Sequence, residues 1–155
     1  MLTMAESATQ TVTIAASPEH CFAVAIDFPR YPEWAKDVKE ATVRETDAEG
    51  RPTRVEFRAS ALGRSTHYTL AYDYSAAPEK VSWQLVHGDI TRAIDGAYTF
   101  TPSAAGPGST DVVYELSIEL VVPLPGFVKR RAEGRIMHTA LRELKARVEG
   151  ADAST

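Results

Sequence analysis

Cysteine is nearly absent from this 155-residue chain: Cys21 stands alone. A single thiol excludes an internal disulfide and fits a reducing compartment. Long apolar runs are missing too. None approaches the roughly 18 residues needed to cross a bilayer, and nothing resembles a signal peptide, so a cytoplasmic protein without stable membrane insertion is expected. The histidines His20, His67, His87 and His138 never fall at metal-ligand spacing, so neither a metal nor another cofactor is expected. No glycine loop of the phosphate-cradling kind occurs. A basic excess is also missing: the formal net charge is −4, which offers no field for nucleic acid.

What is present is ordinary in amount and uneven in placement. Hydrophobic residues make up 44% and charged ones 25%, the composition of one soluble domain that buries a real core. Residues 127–149 hold seven Lys/Arg and three Glu, a local charge of +4, and leave −8 for the remainder. That stretch contains no proline, and Met137, Ala140, Leu141, Leu144 and Val148 recur at three- and four-residue spacing. The spacing predicts one long helix with an apolar face.

Almost everything before this helix reads as strand. Thr9 to Ala16 alternates, with Val12 and Ile14 on one face. Ser17-Pro18-Glu19 then supplies a cap, a proline at the first helical position and an acid in the first turn, starting a short helix to about Ile26. Pro29 and Pro32 frame a further helical turn, Arg30 to Ala35. Six strands follow: 38–44, 53–61, 65–74, one around 81–85, 90–100 and 110–121. Turns are expected at 47–52, Leu62-Gly63-Arg64, 76–79 and Gly88-Asp89, with a long loop over 102–109 and a bulge at Gly96. Consecutive hairpins make an antiparallel sheet. Residues 9–149 form the single domain expected, with 1–8 and 150–155 as loosely ordered tails.

A long helix without a helical neighbour of similar length must lie across the sheet, and a sheet curling around one helix tends to leave a cavity. Ala140, Leu141, Leu144 and Val148 are core material. Arg130, Glu133, Gly134 and Met137 point to the same side one half earlier, where they would roof the cavity. Glycine within a helix costs about 1 kcal/mol relative to alanine. At Gly134 it either opens space for a ligand or lets a large strand side chain press close.

Several segments, in this order, resemble the START/Bet v 1-like (SRPBCC) superfamily. They are Asp27-Phe28-Pro29-Arg30-Tyr31-Pro32-Glu33-Trp34; Val81-Ser82-Trp83 to Gly88; Gly96-x-Tyr98-x-Phe100; and Pro123-Leu-Pro125-Gly126 opening a helix that closes Leu141-Arg-Glu-Leu144-Lys145-x-x-Val148-Glu149. More closely, the chain is similar to the polyketide cyclase/dehydrase and lipid-transport group, which includes coenzyme Q-binding START proteins. The resemblance implies an α+β helix-grip fold. In it a curved seven-stranded antiparallel sheet wraps a long C-terminal helix, with two short helices after the first strand. It also implies an internal apolar cavity for a lipid, quinone or polyketide-like molecule. Members range from carriers to aromatase/cyclases, so function has to come from the site.

Phe57, Tyr68, Tyr72, Trp83, Tyr98 and Tyr114 all fall on inward strand faces. Together with Gly134 and Met137 they are the candidate ligand-binding residues, plain core packing being the alternative for the aromatics. Candidate catalytic groups are few. His87 shares parity with Trp83 and Leu85, and Arg92 with Ile90 and Ile94. With Tyr72 they could supply acid–base chemistry and polarise a carbonyl. The competing and favoured reading places both at strand ends, where alternation breaks and side chains reach water. His67 is expected outside, His138 falls toward the flank of the last helix, Cys21 is expected buried and inert, and Glu133 with Arg130 reads either as a polar pair at the cavity roof or, the favoured reading, as a surface pair three apart. Three functions follow from this pattern. The first is a carrier or sensor of a small hydrophobic molecule, which the scarcity of inward-facing charge favours. The second is a polyketide cyclase/dehydratase. The third is an interaction module presenting Arg131, Arg135 and Arg142 to anionic lipid or a ribosome. Oligomeric state is not encoded in any of these features.

Overall fold

A computed structural model describes residues 8–61 and 63–153. Residues 1–7 and 154–155 of the expected tails, and Leu62 of the expected turn, lie outside the described residues. The elements run β1 (Ala8–Ile14), α1 (Pro18–Ala25), a 3-10 turn (Phe28–Arg30), α2 (Tyr31–Trp34), β2 (Val38–Thr46), β3 (Pro52–Ala61), β4 (Arg64–Asp73), β5 (Lys80–Gly88), β6 (Thr91–Pro102), β7 (Thr110–Leu120) and α3 (Gly126–Ala153). The seven strands form one antiparallel sheet in the order β1-β7-β6-β5-β4-β3-β2. This is the helix-grip arrangement. The chain returns from β1, through α1 and α2, to the far edge and then comes back by successive hairpins.

Local chemistry explains the boundaries. Ser17 accepts a hydrogen bond from the His20 amide (3.1 Å), and Pro18 opens α1. In the β2–β3 turn the Asp47 carboxylate accepts from the amides of Glu49 and Arg51, both at 2.9 Å, and Gly50 takes φ +82°. The third helix follows the proline-bracketed segment 123–125 and runs to Ala153, four residues past the expected end at Glu149.

The core lies where α3 meets the sheet beside α1. Leu141, Leu144 and Val148 are buried together with Ile14, Cys21, Phe22, Phe100 and Val112. Polar contacts fasten the same end of the helix. Lys145 donates to the Thr13 carbonyl (2.6 Å) and to Glu149 (2.9 Å), and Glu149 accepts from the Ala15 amide (2.9 Å).

Two register shifts beside the β5–β6 turn depart from strict alternation. The pairing of β4 with β5 steps from Thr69–His87 to Leu70–Leu85, so Val86 is an extra residue. The pairing of β6 with β7 steps from Thr91–Leu120 to Ala93–Glu119, so Arg92 is another. At Gly96, where a bulge was expected, the ladder is continuous, with Trp83 on one side and Leu116 on the other. The glycine serves a different need. A Cβ there would lie 2.4 Å from the Trp83 ring, so its absence lets the indole lie down on β6.

Gly96→Ala is therefore expected to displace Trp83, lower stability by about 1–3 kcal/mol and shift the tryptophan emission. An unchanged melting temperature and spectrum would show that the ring is held some other way. The helix anchor titrates. The Ala15 amide, then Lys145, holds the Glu149 carboxyl below the usual carboxylate range. Its contribution is complete above the ordinary value, about 4.3, and is lost as pH falls through the lowered folded value. Melting scans should show Glu149→Gln losing less stability than the wild type on acidification through that window. Parallel losses in the two proteins would refute the anchor.

Candidate functional site

Between the N-terminal half of α3 and the concave face of the sheet lies a cavity of about 670 Å³. This is within the range of small-molecule sites. Its floor comes from alternate residues of five strands: Phe57 and Ala59 on β3, Tyr68, Leu70 and Tyr72 on β4, Val81 and Trp83 on β5, Ile94 and Tyr98 on β6, Tyr114, Leu116 and Ile118 on β7. One end wall is Phe28, Tyr31 and Trp34, delivered by the proline-framed turn between α1 and β2. The roof is the α3 face carrying Val128, Lys129, Ala132, Glu133, Ile136, Thr139 and Ala140. Its exposed lining residues, Asp37, Ser60, Gly63, Arg131, Arg135 and Ile136, mark the rim.

The aromatic rings form a connected array. Phe28 meets Tyr72 at 4.5 Å between centroids and Phe57 at 5.9 Å. Phe57 stacks on Tyr68 at 5.3 Å. Trp83 contacts Tyr72, Tyr98 and Tyr114 at 5.7, 5.2 and 5.8 Å. Tilted and edge-on contacts of this kind fix ring orientation as well as burying area. Burial pushes the Tyr68 phenol up to about 12 and raises Tyr72, Tyr98 and Tyr114 well above the ordinary value. These hydroxyls stay protonated at neutral pH, where they offer a donor and an acceptor to a ligand and no phenolate base.

The six aromatics singled out from the sequence, Phe57, Tyr68, Tyr72, Trp83, Tyr98 and Tyr114, thus all line one chamber. Gly134 and Met137 do not. Gly134 faces β1, where its carbonyl accepts from Gln10 Nε2 at 2.8 Å, and Met137 is packed into the core at 1% exposure. His87 and Arg92 are turned out of the chamber by the two bulges. The extra residue Val86 puts His87 on the outer face opposite Thr69. Arg92, itself the extra residue in β6, is exposed and pairs with Glu119 at 3.0 Å. Tyr72 alone of the three catalytic candidates reaches the chamber.

Two residues outside the candidate catalytic and ligand-binding sets take their place. Thr91 is turned inward by the same bulge that turns Arg92 out, and it is buried against the cavity. Nothing in the alternation of β6 signals this. Glu133, expected at the surface with Arg130, is 1% exposed and lines the roof. Its Oε2 accepts from the Ile118 amide (2.7 Å) and lies 2.9 Å from Lys129 Nζ. Arg130 is exposed; the i,i+4 geometry selects Lys129. Lys129-x-x-x-Glu133 was the readable signal for this pair. Among the described residues, no three His, Cys, Asp or Glu cluster to hold a metal ion, and no helix is long and apolar enough to cross a membrane.

Known proteins share this frame. A START superfamily protein from Mycobacterium smegmatis superposes with a TM-score of 0.88, at 26% identity over 94% of this chain and 98% of its own. A protein from Thermus thermophilus superposes at 0.76, with 22% identity over 94% and 99%. The ZhuI aromatase/cyclase of Streptomyces sp. R1128 superposes at 0.77, with 14% identity over 93% of both chains, which speaks for the fold alone. No curated protein sequence matches the chain. The sequence pattern of the family described as polyketide cyclase/dehydrase and lipid transport matches residues 5–149, and the chain belongs to that family.

Proposed function

We propose that the protein binds and carries a small, largely apolar molecule in the chamber under α3. The observation that carries this reading is the chamber itself: about 670 Å³ walled by a connected aromatic array and aliphatic side chains. Enclosing an apolar ligand there would gain about 25 cal/mol for each Å² of apolar surface removed from water. The flat rings of Trp83, Tyr98 and Tyr114 suit a quinone-, polyketide- or lipid-like body, which are the finer alternatives within the reading. Cyclisation is the second, enzymatic possibility. With His87 and Arg92 on the outer face, and Tyr72 protonated, its acid–base chemistry would have to rest on Glu133.

One surface feature favours loading and release at a lipid interface. Val121, Val122 and Phe127 are 55%, 71% and 63% exposed in the segment leading into α3, next to the cavity rim where Arg131 and Arg135 stand. Apolar side chains flanked by cations suit an anionic membrane surface, where each basic residue contributes about 1 kcal/mol.

Displacement of the neutral fluorescent probe N-phenyl-1-naphthylamine tests the carrier reading. Wild type should bind it, and Ala132→Trp, which fills the roof, should weaken binding about tenfold or more with little loss of melting temperature. Equal probe binding by both proteins would place the ligand elsewhere. For the interface, wild type should cosediment with phosphatidylglycerol vesicles more than with phosphatidylcholine vesicles. Phe127→Asp should remove that difference. Equal sedimentation with both lipids would dismiss the membrane contact.

A further inference from the structure

Among the described residues, the buried side-chain polar atoms without a hydrogen-bond partner are Thr91 Oγ1 and Glu133 Oε1. Both residues line the cavity. They also lie at one end of it. Glu133 is bonded to the Ile118 amide, and Thr91 is paired across the sheet with Leu120, two residues further along β7. Buried polar atoms in folded proteins are normally satisfied, so two exceptions at one end of a ligand chamber, one on the helix and one on the sheet, point to a partner that arrives from the chamber.

We propose that Glu133 and Thr91 form a polar subsite that takes a hydroxyl group, alcoholic or phenolic, at one end of an otherwise apolar ligand. The inference rests on the chamber being a ligand site and adds which class of ligand it selects. The chemistry of the two atoms sets the class. A carboxylate oxygen only accepts, so Glu133 Oε1 requires a donor. Its charge is already matched by Lys129 at 2.9 Å. A ligand ammonium would add a second, unmatched cation to a buried apolar site, and a ligand carboxylate would set like charges together. A neutral hydroxyl satisfies Oε1 without changing the net charge. Thr91 Oγ1, which both donates and accepts, supplies a second partner at the same end. The Ile118 amide and Lys129 hold the other carboxylate oxygen, so Oε1 is fixed in place before the ligand arrives.

The test uses three molecules of one shape, 2-naphthol, naphthalene and 2-naphthoate, each displacing N-phenyl-1-naphthylamine from the full-length protein. Without a subsite, the hydroxyl loses its water with no return, and naphthol binds more weakly than naphthalene. With the subsite, wild type binds 2-naphthol about tenfold tighter than naphthalene, and 2-naphthoate weakest. In Glu133→Gln the amide carbonyl takes over the Ile118 and Lys129 contacts and the NH2 group, which only donates, faces the chamber, so the phenolic O–H loses its charged acceptor and the naphthol preference falls while naphthalene affinity is kept. Thr91→Val, which keeps the shape of the side chain, reduces the preference in part. Naphthol and naphthalene binding alike to wild type would overturn the subsite and leave the chamber as a ligand site. A preference undiminished in both variants would assign it to the tyrosines and also overturn the proposal. No displacement by any of the three would overturn the chamber reading and this inference with it.

Discussion

The structure depends on how one helix meets one sheet. Contacts of α3 with strands fall chiefly on β1 and β7, and its C-terminal half buries Leu141, Leu144 and Val148 there. Lys145 and Glu149 fasten the same end to the backbone of β1. Because the helix is seated at one edge, the curved strands β3 to β5 arch away from its N-terminal half and cannot fill the space beneath it. The proline-framed turn and α2 close that space from the side with Phe28, Tyr31 and Trp34. The chamber is thus the geometric remainder of a clamp that grips at one end only.

Within the chamber, an aromatic floor faces a helix whose apolar side is interrupted by Lys129, Glu133 and Thr139. Trp83 can lie flat because Gly96 offers no side chain, and it then touches three tyrosines. Such a floor accepts many flat or flexible apolar bodies and distinguishes poorly among them, since dispersion and area are non-directional. Direction enters at Glu133 and Thr91, whose open valences have fixed positions. On the proposed reading, affinity spreads over the floor and selectivity concentrates at the end held by Glu133 and Thr91.

Element types were legible in the sequence because each strand alternates and the last helix repeats at helical spacing. The six aromatics were legible for the same reason, since inward parity brings them to one concave face. Gly134 is not part of the roof, because helical spacing gives a face and not its neighbour; that neighbour is Gln10 on β1. Helical spacing put Glu133 on the roof face, but the habit that charged side chains on a helix face water favoured a surface pair instead. Its burial depends on Lys129 and on the Ile118 amide, a contact across the fold that no local pattern contains. His87, Arg92 and Thr91 share another cause. Parity extrapolates along a strand only until an unpaired residue intervenes, and both strands have one near the turn that joins them.

Those two unpaired residues, Val86 and Arg92, act as phase switches. Each flips the polarity of everything between itself and the Gly88–Ile90 corner. Deleting Val86 would join Leu85 to His87 in a regular ladder and leave the imidazole outside, and deleting Arg92 would remove the guanidinium while Thr91 kept its inward place. The chamber wall is therefore buffered against length changes at these two places, since a lost codon smooths the ladder and leaves the inward set as it was.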